Sequence, residues 1–469
     1  MTQDLQEKLS RVLAASIDGF GSLTSCDQLS AGASQETWRV ACDCSGGPRV
    51  FALRRAQPTA SAGSGVGVIS LETEAKLFQL ANRGGVPGPE VLHVLGAEDG
   101  LGSGFLMQWL EGETLGQRIV RAEEFAAVRP QLARQCGEIL GRLHRLDLGA
   151  GELRDALPTV EPATLVRETW SYYRDLEVPV PMIDYCWRWL QDNLPAAHRT
   201  TLVHGDFRNG NLMVTPQGIN AVLDWELAHI GDPLRDLGWL CVNSWRFGKS
   251  NLPVGGFGEI DDLLDGYRDT SGVEVSAQQL LFWQVFGSFW WSMATLQMAS
   301  TWRSGETPSL ERPVIGRRSS EAQMDCANLL LPGDFDLPER ATDLARGTQL
   351  PMPAELLEGV RSFLKEDAAP GLDPHSGFLA RVAANSLGIA QRELLHGPSL
   401  AQAELARLQA LLGTTGELDT LRWELVDRLR GGMALDTPGL AEHLRQTVAG
   451  QLFIDQPRYS ALQPQQAAD

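Results

Sequence analysis

The hydrophobic and polar positions of the first 110 residues alternate in runs that are typical of a small antiparallel sheet. The alternation covers 26–42 and 49–55, with a Gly-Gly-Pro turn signal between the two runs, and this pattern predicts a pair of strands. A helical period follows over 70–82 and ends at Asn-Arg-Gly-Gly. Two more strand-like runs cover 90–96 and 104–110. We therefore predict a sheet with one inserted helix.

From residue 111 the period becomes helical, apart from a short strand pair predicted at 201–226. The predicted helices of this part cover residues 123–147, 161–176, 182–193, 233–246, 259–271 and 276–302. Residues 303–350 contain several Gly, Pro and Arg and are predicted to be irregular, whereas 354–446 are helical again. We expect an α+β fold with an added all-α domain. Its three parts would be a small sheet lobe at 1–110, a larger helical lobe at 111–345, and a helical domain with its tail at 346–469.

The charge of the chain excludes some classes of partner. It has 59 acidic and 40 basic side chains, which gives a net charge of −19, so bulk charge does not attract it to nucleic acid or to an anionic membrane. Residues 279–302 carry no charged side chain, but polar residues interrupt them, and we expect a buried helix and not a membrane span. The N-terminal residues include acids and lack the basic start of a leader, so we expect a cytoplasmic protein.

Three polar side chains stand beside short strand-like segments between residues 202 and 226. Asp206 follows an apolar triplet, Asn211 lies at the start of the next strand, and Asp224 ends another apolar run. Two carboxylates and an amide on two short strands and their loop can converge on one point. Such a point suits a hard cation with oxygen ligands, such as Mg²⁺ with bound phosphates. Asp206 can then orient or deprotonate a hydroxyl group.

The same segment contains motifs that resemble those of a known family. It reads His-Gly-Asp-Phe-Arg-Asn-Gly-Asn over 204–211, then Leu-Asp at 223–224, then Gly-Asp-Pro-Leu-Arg-Asp-Leu over 231–237. These motifs are similar to those of the aminoglycoside phosphotransferase and choline kinase group. The resemblance implies a protein-kinase-like bilobal fold and an enzyme that transfers a phosphoryl group from ATP to an alcohol.

The resemblance also implies a role for individual residues. Asp206 would be the catalytic base, and Asn211 and Asp224 would hold Mg²⁺. His204 and Asp236 would support the catalytic loop.

The small lobe departs from the family at one position. Kinases of this type have a strand lysine that contacts the α- and β-phosphates, whereas this chain has Arg54 and Arg55 at the matching place. Neighbouring strand residues point to opposite faces, so only one of them faces the cleft, and the match favours Arg54. Glu74 is the expected partner of that cation, with Glu72 as the alternative.

The remaining nucleotide contacts are implied by the resemblance as well. Residues 30–38, which include Ser34, would form the hairpin that covers the phosphates, although Gly32 is its only glycine. The segment 107–112 resembles the hinge of the family. Its residues Gln108, Trp109 and Leu110 would hold the adenine through their backbone.

A subgroup of the family resembles this sequence more closely. It has Leu-Arg-Arg in the strand, HGDFRxGN in the loop and LDWE-x-A-x-x-GDPLxDLxW after it, as found here at 53–55, 204–211 and 223–239. That subgroup is associated with acyl-CoA dehydrogenases, and some members phosphorylate hydroxyacyl-CoA thioesters such as 4-hydroxyacyl-CoA. The resemblance implies such an acceptor in hydroxy-acid breakdown. The helical segment from 354 resembles a small domain of unknown function that often occurs beside such kinases.

A CoA acceptor needs cations for its phosphates, and the Arg-rich stretch 311–318 is the best source in the sequence. We expect Arg312, Arg317 and Arg318 to lie in an irregular segment that reaches the ligand; the alternative is a solvated loop. Two other functions stay open here, an aminoglycoside or other antibiotic kinase and a nucleotide-binding pseudokinase that regulates a partner. The C-terminal domain is expected either to mediate a homodimer or partner contact or to assist substrate binding.

Overall fold

The computed structural model describes residues 3–31, 35–56, 68–306, 308–338 and 350–462. The strands are β1 (Phe20–Ala31), β2 (Gln35–Cys44), β3 (Gly47–Ala56), β4 (Val91–Val94), β5 (Gly104–Gln108), β6 (Thr201–Val203), β7 (Leu212–Thr215), β8 (Gly218–Val222) and β9 (His229–Gly231). The helices are α1 (Gln3–Ser16), α2 (Leu71–Arg83), α3 (Gly116–Ile119), α4 (Leu132–Leu143), α5 (Glu152–Asp155), α6 (Pro162–Arg174), α7 (Pro181–Asp192), α8 (Leu234–Leu240), α9 (Ile260–Ser271), α10 (Ala277–Arg303), α11 (Glu311–Arg317), α12 (Ser319–Leu330), α13 (Pro353–Ser362), α14 (Pro374–Leu412), α15 (Leu418–Arg430) and α16 (Leu440–Asp455).

Contacts divide the chain into two units. The first comprises Met1–Glu161, Ala197–Cys241 and Trp245–Leu280. The second comprises Pro162–Ala196, Val242–Ser244 and Leu281–Asp469.

The first unit contains a five-stranded antiparallel sheet with the strand order β1-β2-β3-β5-β4. Leu9 and Leu13 of α1 pack on Val40 of β2 at one face of the sheet. Alternate residues of a strand point to the same face, so Val40 shares this face with other apolar side chains of β2. Phe78 of α2 contacts Phe105 of β5 from the other face, with 6.0 Å between the ring centroids. The predicted α+β fold class is confirmed.

Helix α4 of the first unit is shorter than predicted and packs closely on α9. A Cβ atom on Gly137 would lie 2.0 Å from the carbonyl oxygen of Leu263, so the two helices approach where no side chain fits. The sequence predicted a helix over 123–147, but α4 begins at Leu132. Pro130 lies just before it, and a proline disfavours the helical conformation in the preceding residue.

Two short strand pairs of the first unit carry the predicted site. β6 pairs with β9, and β7 pairs with β8, both antiparallel. Asp206 lies in the loop after β6, Asn211 directly precedes β7, and Asp224 follows β8. The loop turns at Gly205, where φ is +83° and a Cβ atom would lie 2.3 Å from the carbonyl oxygen of Leu227. Only glycine fits this position.

The second unit is helical. Trp283, Phe286 and Phe289 of α10 are buried, and none of the helices in the described ranges has both the length and the apolar character that crossing a bilayer requires. Helices α11 and α12 occupy part of 303–350, where the sequence predicted irregular structure. Pro313 is tolerated because it lies in the first turn of α11, where the N–H that it lacks would have no helical acceptor.

The last four helices follow the stretch that the sequence predicted to be helical. α14 packs on α13, α15 and α16. It begins at a cap, because the Asp373 carboxylate accepts hydrogen bonds from the backbone N–H groups of His375 and Ser376.

Candidate active site

Asp206 and Asn211 are in direct contact in the first unit. Nδ2 of Asn211 donates to the backbone oxygen of Asp206 over 2.9 Å and to its Oδ2 over 2.6 Å. The amide oxygen of Asn211 is the acceptor that remains on that side chain. The backbone N–H of Leu223 donates to the backbone carbonyl oxygen of Asn211 over 2.8 Å. This bond brings the segment that carries Asp224 beside the other two residues.

Two side chains that the sequence analysis did not assign hold the Asp206 carboxylate. Nε1 of Trp239 donates to Oδ1 over 2.7 Å, and Nε of Arg208 lies 3.0 Å from Oδ1 and 3.2 Å from Oδ2. The Arg208 guanidinium also lies over the Trp245 ring, 4.5 Å from its centroid. Asp206 therefore accepts hydrogen bonds from three side chains, counting Asn211, which fixes the orientation of its carboxylate.

Asp236 is the buried acceptor that supports the loop. It accepts the backbone N–H of His204 over 2.8 Å and that of Gly205 over 2.9 Å, and Nε2 of His144 lies 3.1 Å from its Oδ2. Burial alone would raise the pKa of Asp236, but the hydrogen bond and charge of His144, together with His204, lower it. Asp236 is therefore ionised at neutral pH. No sequence signal pointed to His144.

His204 links the two segments that carry the carboxylates. Its ring is buried, Nε2 lies 3.1 Å from the carbonyl oxygen of Leu223, and Nδ1 lies 3.2 Å from the backbone nitrogen of Asp206. Burial lowers the pKa of His204, so the ring is neutral at neutral pH. A proton on Nε2 then satisfies both contacts, because Nε2 donates to Leu223 and Nδ1 accepts from Asp206.

Arg54 of β3 contacts both Glu74 of α2 and Asp224. Its Nε lies 3.1 Å from Oε2 of Glu74, and its Nη2 lies 2.7 Å from Oδ1 of Asp224. Burial raises the pKa of Glu74 to about 7, although the charge of Arg54 opposes that shift. Asp224 has a φ of +65°, which is uncommon for any residue other than glycine.

The residues that the sequence offered as alternatives have other partners. Nε of Arg55 lies 3.3 Å from Oε2 of Glu36, on the face of the strand opposite to Arg54. Glu72 is exposed and pairs with Lys76 over 2.8 Å. Of the two glutamates considered, Glu74 is the one that reaches Arg54.

The donors around Asn211 and Asp224 fit a hard divalent cation. Within the described residues, no group of three or more His, Cys, Asp or Glu side chains is arranged for a metal ion. Mg²⁺ is usually held by one or two carboxylates together with phosphate oxygens and water. Burial, followed by the charge of Asp224, raises the pKa of Glu226. This crowding of carboxylates is another feature that a bound cation would relieve.

The residues predicted to contact the adenine lie at and after the end of β5. Ser34 lies outside the described residues. Gln108 ends β5, and its backbone N–H donates to the carbonyl oxygen of Glu90 over 2.8 Å, so this N–H is already used. Trp109 and Leu110 follow the strand and are half-buried.

Comparison with protein families decides the class of the enzyme. The profile described as "Phosphotransferase enzyme family" matches residues 25–272, more than half of the chain. The chain belongs to the phosphotransferase enzyme family. The predicted family and the predicted phosphotransferase class are confirmed. A second profile, described as a domain of unknown function (DUF6285), matches residues 370–459.

Individual relatives cover only part of this phosphotransferase. Acyl-CoA dehydrogenase family member 10 of Mus musculus is 32% identical over 205 residues, which are 43% of this chain and 18% of that protein. Acyl-CoA dehydrogenase family member 11 of Mus musculus is 26% identical over 282 residues, which are 54% of this chain and 34% of that protein. The chain therefore spans about a third or less of the length of these relatives.

The solved structure of a candidate aminoglycoside phosphotransferase from Ralstonia eutropha is similar with a TM-score of 0.55. It is 21% identical and covers 69% of this chain and 97% of its own. This similarity concerns the fold, and it confirms the kinase-like fold that the sequence predicted.

The three arginines predicted for the acceptor lie in the second unit of the phosphotransferase. Arg312 and Arg317 belong to α11 and Arg318 follows it, so the prediction that these arginines lie in an irregular segment was wrong. Arg317 lies 2.7 Å from Asp455, and Arg318 lies 3.0 Å from Glu321. Carboxylates of the same unit therefore already compensate these two charges.

Proposed function

We propose that this phosphotransferase is an ATP- and Mg²⁺-dependent kinase that phosphorylates the hydroxyl group of a hydroxyacyl-CoA, such as a 4-hydroxyacyl-CoA. The observation that supports this most is the 2.6 Å contact between Asp206 and Asn211. It joins the proposed base to a proposed metal ligand, which is the arrangement that phosphoryl transfer to an alcohol needs.

The acceptor side of the reaction is assigned to Asp206. The acceptor hydroxyl oxygen attacks the γ-phosphorus of ATP, the bond to the β–γ bridging oxygen breaks, and ADP leaves. Asp206 orients the hydroxyl group and takes its proton. Trp239 and Arg208 hold the carboxylate in one orientation while it does so.

The phosphate side is assigned to Arg54, Asn211 and Asp224. Arg54 would contact the α- and β-phosphates, and its bond to Glu74 fixes the guanidinium at the end of β3. Asn211 and Asp224 would hold Mg²⁺, which neutralises phosphate charge when it is bound. Arg54 can serve where a lysine is usual because its fork donates in two directions at once.

The proposed acceptor is supported by the names of two relatives and by the motifs of this sequence. Two curated relatives bear the name of the acyl-CoA dehydrogenase family. The loop, strand and downstream motifs also match the subgroup associated with those enzymes. An acceptor linked to CoA agrees with both observations.

A panel of acceptors tests the proposal. The purified chain is given ATP and Mg²⁺ with hydroxyacyl-CoAs, the matching free hydroxy acids and several aminoglycosides, and ADP release and product mass are measured. We expect the hydroxyacyl-CoA to have the highest kcat/KM. An equal or higher value for a free acid or an aminoglycoside would contradict the acceptor. Tight ATP binding with no transfer to any acceptor would support a regulatory pseudokinase instead.

A further inference from the structure

A basic cavity lies within the C-terminal helices of the second unit. Its volume is about 520 Å³, within the ~300–1,000 Å³ of small-molecule sites. Its five cationic lining residues are Arg361, Lys365, Arg381, Arg392 and Arg458. No Asp or Glu is among the described residues that line it. In a chain with a net charge of −19, this is a local reversal of charge.

Most of these cations are not compensated by a carboxylate. Arg361 is compensated, since its Nε donates to Oε2 of Glu358 over 2.8 Å. Lys365, Arg381 and Arg458 are exposed, and in the described parts of the chain none of the three forms an ion pair with a carboxylate. Concentrated positive charge of this kind is unfavourable unless an anion joins it.

Arg392 is fixed in place by backbone acceptors and forms no ion pair with a carboxylate within the part of the chain that the structure describes. Its Nε donates to the carbonyl oxygen of Ile454 over 2.5 Å, and its Nη2 donates to that of Asp455 over 3.3 Å. The side chains of Asp455 and Glu393 pair with Arg317 instead. Burial lowers the pKa of Arg392, the charge of Asp455 opposes that shift, and the charges of Arg361 and Arg317 add to it. The cavity thus holds a guanidinium that backbone carbonyl groups orient and that has no ion pair with a carboxylate among the described residues.

Aromatic side chains also line the cavity, and a glycine keeps space open in it. Phe453 and His396 line it, with their rings edge to face at 5.1 Å between centroids. Gly388 lies inside α14, where glycine is less favourable than alanine. A Cβ atom there would lie 3.2 Å from Nη1 of Arg392 and 3.3 Å from Cδ of Arg361. Glycine therefore preserves the room between the side chains of Arg361 and Arg392.

We propose that this cavity binds a small organic molecule that carries two or more phosphate groups. The phosphates would lie against the arginines, which recognise phosphate oxygens in pairs, and the organic part would lie on Phe453. Adenine nucleotides and CoA share this chemistry, and either could be the source. The inference does not rest on the acceptor proposed above, because it concerns binding within the C-terminal helices only.

Binding to the full chain tests this inference. CoA, ADP and inorganic pyrophosphate are each titrated by calorimetry, without metal ions and at low ionic strength, into the parent and into Arg381→Glu and Arg458→Glu. The matched control is Arg303→Glu, which makes the same change of charge at an exposed arginine that ends α10 outside the cavity. We expect each cavity variant to weaken at least one probe by about tenfold or more, and the control to change it less than about twofold. A loss of affinity for CoA or for ADP identifies which of the two is the source, and a loss for pyrophosphate shows that the cavity holds the phosphates.

The inference is overturned if every probe binds the cavity variants and the control with the affinity of the parent, or if no probe binds the parent at millimolar concentration. Circular dichroism checks that each variant folds, and Lys365→Glu replaces one that does not. A chain that rejects hydroxyacyl-CoA as an acceptor, yet loses probe affinity in Arg381→Glu, would contradict the proposed acceptor and support this inference.

Discussion

Nη2 of Arg54 lies 2.7 Å from Oδ1 of Asp224, and the same guanidinium reaches Glu74 through Nε. A cation from the sheet is thereby bound to the proposed metal ligand of the catalytic segment. A lysine ammonium is a single point of charge, whereas the guanidinium fork donates in two fixed directions. Arg54 uses both of these directions, one toward Glu74 and the other toward Asp224.

Replacing Arg54 should impair ATP binding. We expect Arg54→Ala to raise the KM for ATP by about tenfold or more, because a charged hydrogen bond contributes roughly 1.5–3 kcal/mol. The matched control is Arg55→Ala, one residue along and on the opposite face, paired with Glu36. Initial rates at varied ATP measure both variants, with melting temperatures as a check on folding. A larger effect from Arg55→Ala would place the other arginine at the phosphates.

Glu74 should make ATP affinity depend on pH. Its pKa is raised to about 7 by burial, so the carboxylate is ionised above that pH and protonated below it. Protonation removes the negative charge that fixes Arg54, and we expect the KM for ATP to rise as pH falls from about 8 to about 6. Glu74→Gln keeps the shape but does not titrate, and its profile should show only the titration of ATP itself. Identical profiles for parent and variant would contradict this role.

Trp239 should act by orienting Asp206. Trp239→Phe keeps an aromatic ring but removes the N–H that donates to Oδ1. We expect kcat to fall about tenfold, equal to ~1.4 kcal/mol, with an unchanged KM for ATP. Trp302→Phe, at an exposed tryptophan, should leave both constants unchanged. A rise in KM without a fall in kcat would mean that Trp239 binds nucleotide and does not position the base.

Asp236 should contribute strongly to stability. Its removal leaves the His204 and Gly205 N–H groups and His144 without their buried acceptor, and we expect Asp236→Ala to lower the free energy of unfolding by about 3–5 kcal/mol. Asp18→Ala, at an exposed aspartate, should cost less than about 0.5 kcal/mol. Urea unfolding measures both variants.

The effect of Asp236→Ala should also depend on pH. The native pKa of Asp236 is lowered, so its contribution is present above the ordinary carboxyl pKa and is lost as pH falls through the lowered native value. The difference between parent and variant should therefore shrink in acid. A difference that stays constant would show that the ionised form of Asp236 does not matter.

Local patterns predicted most of the sheet and the grouping of the site, and contacts between distant residues explain the rest. The alternation that separates Arg54 from Arg55 is a property of neighbouring residues. Asp206 and Asn211 are five positions apart, so their contact was within reach of the motif. Trp239 lies 33 residues along the chain from its partner Asp206, and His144 lies 92 residues from its partner Asp236. No local pattern encodes such contacts. Helix α11 was not predicted from the sequence because proline usually breaks a helix, and the sequence alone does not place Pro313 in the first turn, where proline is tolerated.

The most direct measurement of the central claim is the rate of phosphoryl transfer by Asp206→Asn, with ATP binding measured on the same preparation. Asparagine can keep hydrogen bonds from Trp239 and Arg208 but cannot take a proton from the acceptor. We expect the transfer rate to fall by ~10²–10⁴-fold while the Kd for ATP changes less than about threefold. Turnover within about threefold of the parent would contradict the assignment of Asp206 as the base, and with it the mechanism built on its contact with Asn211.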